Sequence, residues 1–176
     1  MLSAAVLIGD APAEPIDLAA AKAFLRIDGA AQDDEIRLLI TAARAQLEAM
    51  TGLRLVEQTV RLQADRLQDL EHLTVGPVSA IEAITYRDAA GAAQTIDVAT
   101  VYLAGLDLDR GIDAVPGYAW PRTVRRPIVV DLVVGYGAPD QIPGQLRHAM
   151  FALIRGMFDE NPADIEPLIV NHRIYP

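Results

Sequence analysis

The sequence predicts an α+β fold: two N-terminal helices, a run of short antiparallel strands, a long C-terminal helix and an extended C-terminal tail. Three observations predict it. Apolar residues recur at helical spacing over 18–50 and again over 146–157. From Leu55 onward the spacing falls to two, with turn-forming residues between the apolar runs. The strands follow one another without intervening helices, which points away from a doubly wound parallel sheet.

Pro15-Ile16-Asp17 opens the first helix. Asp17 stands where a carboxylate accepts from the free N–H groups of a first turn, and Leu18, Ala21, Phe24 and Leu25 share one side, giving a helix over 18–26. Residues 28–32 turn the chain. Asp33 or Asp34 caps a second helix with Ile36, Leu39, Ile40, Ala43, Leu47 and Met50 along its apolar side, and Thr51-Gly52 closes it with Gly at C′. At 1.5 Å per residue this helix is roughly 25 Å long. Then Val56, Val60 and Leu62 alternate with Glu57, Thr59, Arg61 and Gln63, the pattern of a strand with one buried face. Strands are expected at 70–75, 78–87 and 93–98, with Asp88-Ala89-Ala90-Gly91 as the hairpin loop between the last two. Short pieces at 101–103 and near Ile112 add to them. Residues 116–127 read as a loop, because they hold Pro116, Gly117, Trp120 and Pro121. The strand over 128–134 is apolar on most of both faces and stops at Gly135-Tyr136-Gly137. Pro143 suits a first helical position, and Leu146, Ala149, Met150, Leu153, Ile154 and Met157 form the apolar stripe of the last helix. Asn161-Pro162 breaks it. One domain is therefore expected over 1–161, with 1–15 flexible, followed by a tail over 162–176 that awaits a partner.

Composition narrows the function. With 176 residues, 52% of them hydrophobic, the chain has enough apolar side chains for one core. It contains no cysteine, so disulfides, thiolate catalysis and cysteine-based zinc sites are excluded, and assembly in a reducing cytoplasm is expected. Residues 1–10 are apolar but lack a basic leader, and Ala11-Pro12-Ala13 imitates a cleavage site only loosely. No apolar run approaches the ~20 residues of a membrane span, so no membrane partner is expected. The net charge of −9 is the opposite of the basic footprint that grips phosphates. Such a chain is still compatible with nucleic acid passing nearby, since a wall of like charge discourages the polymer from sticking.

Residues with catalytic potential do not gather into a recognisable pattern. His72, His148 and His172 are scattered, without a second ligand type at metal spacing. Asp107, Asp109 and Asp113 around Gly111 resemble an acidic calcium loop, but the spacing departs and Tyr118 stands at the twelfth place where a bidentate Glu is needed. Gly135-Tyr136-Gly137 lacks the further Gly or Lys of a phosphate loop. Ser3 and Ser79 are the only serines, and neither sits in a nucleophile elbow. No catalytic, metal or cofactor-binding residue is assigned, and no cofactor is expected. Arg122, Arg125 and Arg126 are the one basic concentration, read either as a solvated loop or as partners for a neighbouring subunit's carboxylates. Tyr118 and Trp120 divide between internal packing and an interface anchor.

Several segments, taken together, resemble one family. Leu18-Ala19-Ala20-Ala21-Lys22-Ala23-Phe24-Leu25-Arg26-Ile27-Asp28 is similar to its opening Lys-x-x-Leu-Arg helix. Asp33-Asp34-Glu35-Ile36 and the stretch from Ala42-Ala43-Arg44 to Thr51-Gly52 resemble its second helix. Gly76-Pro77-Val78-Ser79-Ala80-Ile81-Glu82-Ala83-Ile84-Thr85-Tyr86-Arg87-Asp88 resembles its hairpin, which runs into a Tyr-x-Asp turn. Trp120-Pro121, Gly135-Tyr136-Gly137, Ile142-Pro143 and Phe158-Asp159-Glu160-Asn161 follow in the family's order. The family is that of the phage head-tail connector, or adaptor, proteins of tailed phages, prophages and gene transfer agents. The resemblance covers about residues 16–161.

The resemblance implies a structural virion protein at the head-tail interface, assembled in the bacterial cytoplasm and not an enzyme. It implies a homo-oligomeric ring of about twelve subunits beneath the portal protein, extending the DNA exit channel and offering a platform for a tail-side connector or tail terminator protein. DNA would pass through without specific binding. A closed ring needs heterologous contacts, and Arg122, Arg125, Arg126, Tyr118 and Trp120 are the expected subunit-interface residues. Leu168, Ile169, Val170, Ile174 and Tyr175 are the expected portal-binding tail. Here Pro162-Ala163-Asp164-Ile165-Glu166-Pro167 replaces the family's usual Arg-Glu continuation. A head-closure or tail-completion subunit is the neighbouring alternative. A small acidic enzyme or ligand-binding domain is the alternative of another class, and a pocket with converging polar groups would favour it.

Overall fold

The computed structural model describes residues 1–9, 13–122 and 125–175, and the side chains of Arg125 and Arg126 lie outside the described set. Its elements in chain order are β1 (Val6–Leu7), α1 (Leu18–Leu25), α2 (Asp33–Thr51), β2 (Gln58–Ala64), β3 (Val78–Arg87), β4 (Ala93–Ile96), β5 (Val101–Leu106), β6 (Asp109–Ala114), β7 (Arg125–Val134), α3 (Gly144–Phe158) and α4 (Glu166–Ile169). Short 3-10 turns occur at Leu67–Glu71, Val98–Thr100 and Pro139–Gln141. The fold is mixed α+β with antiparallel sheets. The elements gather into two compact units, one of residues 1–11, 57–135 and 174–176, the other of residues 12–56 and 136–173.

In the helical unit the local signals behave as physics requires. Asp17 accepts from the Ala20 N–H at 2.6 Å and caps α1, whose other end turns on Arg26 in the left-handed region at φ 62°. Three carboxylates, Asp33, Asp34 and Glu35, occupy the first turn of α2, where the helix dipole favours negative charge. Gly52 ends α2 at φ 76° and donates its N–H to the Glu48 carbonyl. The buried stripe of α2 (Ile36, Ile40, Ala43, Leu47) faces that of α3 (Leu146, Ala149, Met150, Leu153, Ile154). Each large side chain so buried contributes about 1.5–3 kcal/mol. Phe24 of α1 stacks on Phe151 at 4.7 Å, and the Arg155 guanidinium lies 4.5 Å above the Phe24 ring while donating to the Phe24 carbonyl.

The β unit is built on a five-stranded antiparallel sheet in the order β1-β2-β7-β3-β4, beside a two-stranded ribbon of β5 and β6. β2 and β7 pair without a slip from Gln58↔Val134 to Ala64↔Ile128. Val60, Leu62, Ile84, Ile128, Val130, Leu132 and Val134 point to one side and are buried, as a period of two demands. On the opposite face Arg61 and Asp131 stand directly across from each other, joined by two bonds of 2.7 Å. The ribbon is tied to the chain before it: Leu73 donates to the Arg110 carbonyl at 2.8 Å, and a Cβ on Gly111 would meet the Glu71 carbonyl oxygen at 2.0 Å.

Some expected elements differ. The segment expected as a strand at 70–75 begins instead inside a 3-10 turn over Leu67–Glu71, because Leu67, Leu70 and Leu73 recur every third residue and all three are buried. The strand after Leu55 begins at Gln58, and the one after Ala93 stops at Ile96, where Asp97 accepts from the Ala99 N–H and starts another 3-10 turn. Conversely β7 begins at Arg125, inside the expected loop. Its Pro127 falls in the irregular stretch opposite Thr85 and Arg87, where a missing N–H costs no regular ladder bond. Within the first 15 residues β1 pairs with β2, through Val6↔Arg61 and Leu7↔Val60. The segment expected as a loose tail carries α4, with Ile165 and Ile169 buried.

Candidate functional site

No group of three or more His, Asp or Glu residues that could hold a metal ion occurs among the described residues. His72 is exposed, 3.9 Å from Asp109, and His172 bonds the Gln145 side chain at 2.8 Å. Asp107 and Asp109 stand at the tip of the β5–β6 ribbon and Asp113 caps its own strand end, so the resemblance to a calcium loop dissolves into a hairpin. Among the described residues no helix is long and apolar enough to cross a membrane. A cleft of about 370 Å³ lies in the helical unit between α2, α3 and the chain after it. Leu153, Met157, Pro162 and Ala163 line it, with Gln46 and Glu160 its only polar side chains.

The buried charges are structural in position. Glu14 receives Arg44 through bonds of 2.9 and 3.2 Å and the Thr41 hydroxyl at 3.0 Å. Arg44 also lies 3.6 Å from Glu48, whose other oxygen accepts from the buried Leu55 N–H at 3.0 Å. Burial pushes the Glu48 carboxyl above its ordinary range, against the pull of the Leu55 N–H and of Arg54 and Arg44. The hydrogen bonds it donates to the Glu14 carboxylate hold the Arg44 guanidinium more firmly charged. This chain of groups fixes the end of α2 to the turn that follows it.

The expected interface residues fall on the β unit. Val115 accepts from the Tyr118 N–H at 3.0 Å, and Gly117 at φ 92° lets the chain reverse there. Tyr118 and Trp120 then meet edge to face, ring centres 6.3 Å apart, and both pack, partly exposed, against the sheet's core. Trp120, Pro121 and Arg122 form one wall of a shallow groove of about 180 Å³, and Asp65, Arg66, Leu67 and Gln68 form the other. Arg122 is exposed, while Arg66 lies 3.6 Å from Asp69 and is still mostly in solvent. The amino group of Met1 sits between Asp65 and Asp69, and its hydrogen bond holds Asp69 below the usual carboxylate range. The sequence brought Trp120 and Arg122 into view but not Arg66, which joins them only through the 3-10 turn.

The expected tail residues separate. Ile169 is fully buried and Leu168 half-buried, whereas Val170 is 49% exposed. Arg173 reaches back to Glu166 with two bonds of 2.6 and 2.7 Å and holds the chain after α4 in place. Ile174 comes within 3.1 Å of where a Cβ on Gly76 would stand, and Tyr175 is 73% exposed. An exposed feature that the sequence reading passed over is the ribbon tip. Leu106 is 83% exposed there, beside Asp107 at φ 53°. The alternation Leu106-Asp107-Leu108-Asp109 across a two-residue turn was the signal for it.

Residues 15–101 match the family of phage gp6-like head-tail connector proteins. No curated protein matches the chain. The fold is similar to that of a chain in the neck of an empty GTA particle computed with C6 symmetry, with a TM-score of 0.79 and 22% identity, covering 100% of this chain and 96% of that one. A chain of the virion of a native gene transfer agent (GTA) particle gives a TM-score of 0.80 at 23% identity, covering 98% of this chain and 96% of the other. A chain of the neck of a native GTA particle computed with C12 symmetry gives 0.68 at 23%, covering 97% of each. At such identities these likenesses establish a shared fold along nearly the whole length, including the segment beyond the family match. The match over residues 15–101, just under half of the chain, makes it similar to the gp6-like head-tail connector proteins of phages.

Proposed function

We propose that the chain is a structural virion protein that works as a head-tail connector, a ring subunit placed under the portal in a tailed phage or gene transfer agent. The family match carries this reading, and the full-length likeness to neck chains supports it. The C12 symmetry of one of those necks supports a ring of about twelve copies, built by repeating one heterologous contact. In that ring the chain extends the DNA exit channel and offers its far side to a tail-side connector or terminator. The net charge of −9 favours a wall along which DNA slides without being held. The protein's work is positional, not catalytic.

The portal is the proposed partner of the C-terminal segment. Because Ile169 is already committed to the protein's own core, the docking residues narrow to Leu168 and Val170 in the helical unit and to Ile174 and Tyr175 in the β unit. Negative-stain electron microscopy of the purified chain, alone and mixed with its portal protein, tests the whole reading. Rings capping one end of the portal are expected; a chain that stays monomeric and ignores the portal overturns it.

A further inference from the structure

The proposed ring requires one face of each copy to fit a different face of the next, and the β unit carries two surfaces that complement each other. One is the tip of the β5–β6 ribbon. It holds the most exposed large aliphatic side chain among the described residues, Leu106, flanked by the Asp107 and Asp109 carboxylates. The ribbon is a firm support: a Cβ on Gly105, which sits at φ 79°, would meet the Asp109 carbonyl oxygen at 2.0 Å, so the two strands close tightly just behind the tip. The other surface is the groove between Trp120 and Leu67. Its lining sets Leu67, Trp120 and Pro121 beside the polar Asp65, Arg66, Gln68 and Arg122, with the two arginines on opposite sides. The carboxylates nearest the groove, Asp65 and Asp69, face the Met1 amino group, and Asp69 also lies 3.6 Å from Arg66, which leaves Arg122 as the groove's arginine without an ion-pair partner among the described residues. Asp107 and Arg122 each lack an ion-pair partner among the described residues, and each is exposed.

We propose that the ribbon tip of one copy seats in this groove of the next, with Leu106 against Trp120 and Pro121, and Asp107 and Asp109 paired with Arg122 and Arg66. The inference rests on ring assembly and names the contact that closes the ring. An exposed leucine beside two carboxylates complements a groove that offers Trp120 and Pro121 for apolar contact and two arginines against the single carboxylate Asp65. Desolvating such a pair in register is what gives an interface its preferred neighbour.

Because the sequence lacks cysteine, an introduced pair reports on this contact alone. The full chain carrying both Leu106→Cys and Gln68→Cys, assembled on the portal and oxidised, is expected to give a ladder of covalent multimers on a non-reducing gel, and neither single variant should. Rings that form without a ladder overturn the docking and leave ring assembly standing. Dimers from Leu106→Cys alone overturn it too, since tip would then meet tip. If the unmodified chain makes no ring, ring assembly itself fails and the inference falls with it. As a second measurement, Asp107→Arg and Arg122→Asp should each lower the ring yield about tenfold, and the double charge swap should restore most of it. A double variant no better than the singles overturns the pairing.

Discussion

Glu48 holds a carboxylate where water barely reaches, and its position decides what acid and base do to the helical unit. Burial raises its pKa above the ordinary 4.5, so the folded state favours the protonated form. The stability this contributes is complete below 4.5 and is lost as pH rises through the shifted value. Glu48→Gln, which keeps an acceptor for the Leu55 N–H without the charge, should therefore be at least as stable as the parent at pH 7 and lose its advantage near pH 4. Thermal melts across that range check the sign. Glu48→Ala leaves the buried Leu55 N–H unpaired and should cost about 1–2 kcal/mol by urea denaturation. Nothing in the sequence announces this carboxylate. Glu48 sits among alternating polar and apolar residues near the end of α2, and only the return of Leu55 beside it makes it a buried acceptor. Asp17 is the opposite case, since a carboxylate just ahead of an apolar helical stripe is enough to mark the cap.

At the scale of elements, the ends of α1 make a pair of opposed predictions. Asp17→Ala removes the 2.6 Å cap and should cost about 1 kcal/mol. Arg26→Gly relieves a side chain held at φ 62° and should raise the melting temperature by a few degrees, about 0.5–1 kcal/mol. Both are read from chemical denaturation of the single variants. In the sheet, Leu132→Ala at the centre of β7 should cost about 3–5 kcal/mol, because β2 and β3 hold the site open on both sides. The three longer helices α1, α2 and α3, together with β3 and the centre of β7, were readable from the sequence because each repeats one period long enough to exclude the other. The segment around Leu70 was not, since a period of three over a single pair of turns mimics neither a helix nor a strand. The start of β7 was hidden by Pro127, whose usual meaning as a breaker is cancelled by the irregular pairing there.

For the whole molecule, the proposed ring makes assembly a matter of charge as well as shape. If Arg66 and Arg122 meet a neighbour's carboxylates, raising salt from about 50 to 500 mM should thin the rings seen by electron microscopy, while an apolar contact alone would strengthen. Charge reversal at Arg125 and Arg126 should likewise abolish rings, and intact rings in that variant would confine the contact to the groove. The order of strands in the sheet has a different consequence, one that acts before any ring exists. β7 lies between β2 and β3, yet it is the last of the strands to be made. While the ribosome works through the intervening residues, several seconds at ~5–20 residues per second, β2 and β3 each present an unpaired apolar edge. The newborn chain is thus most vulnerable to aggregation in the interval before residue 134 emerges. A cell making many copies at once for a ring would gain from chaperone cover during that interval more than from any later help.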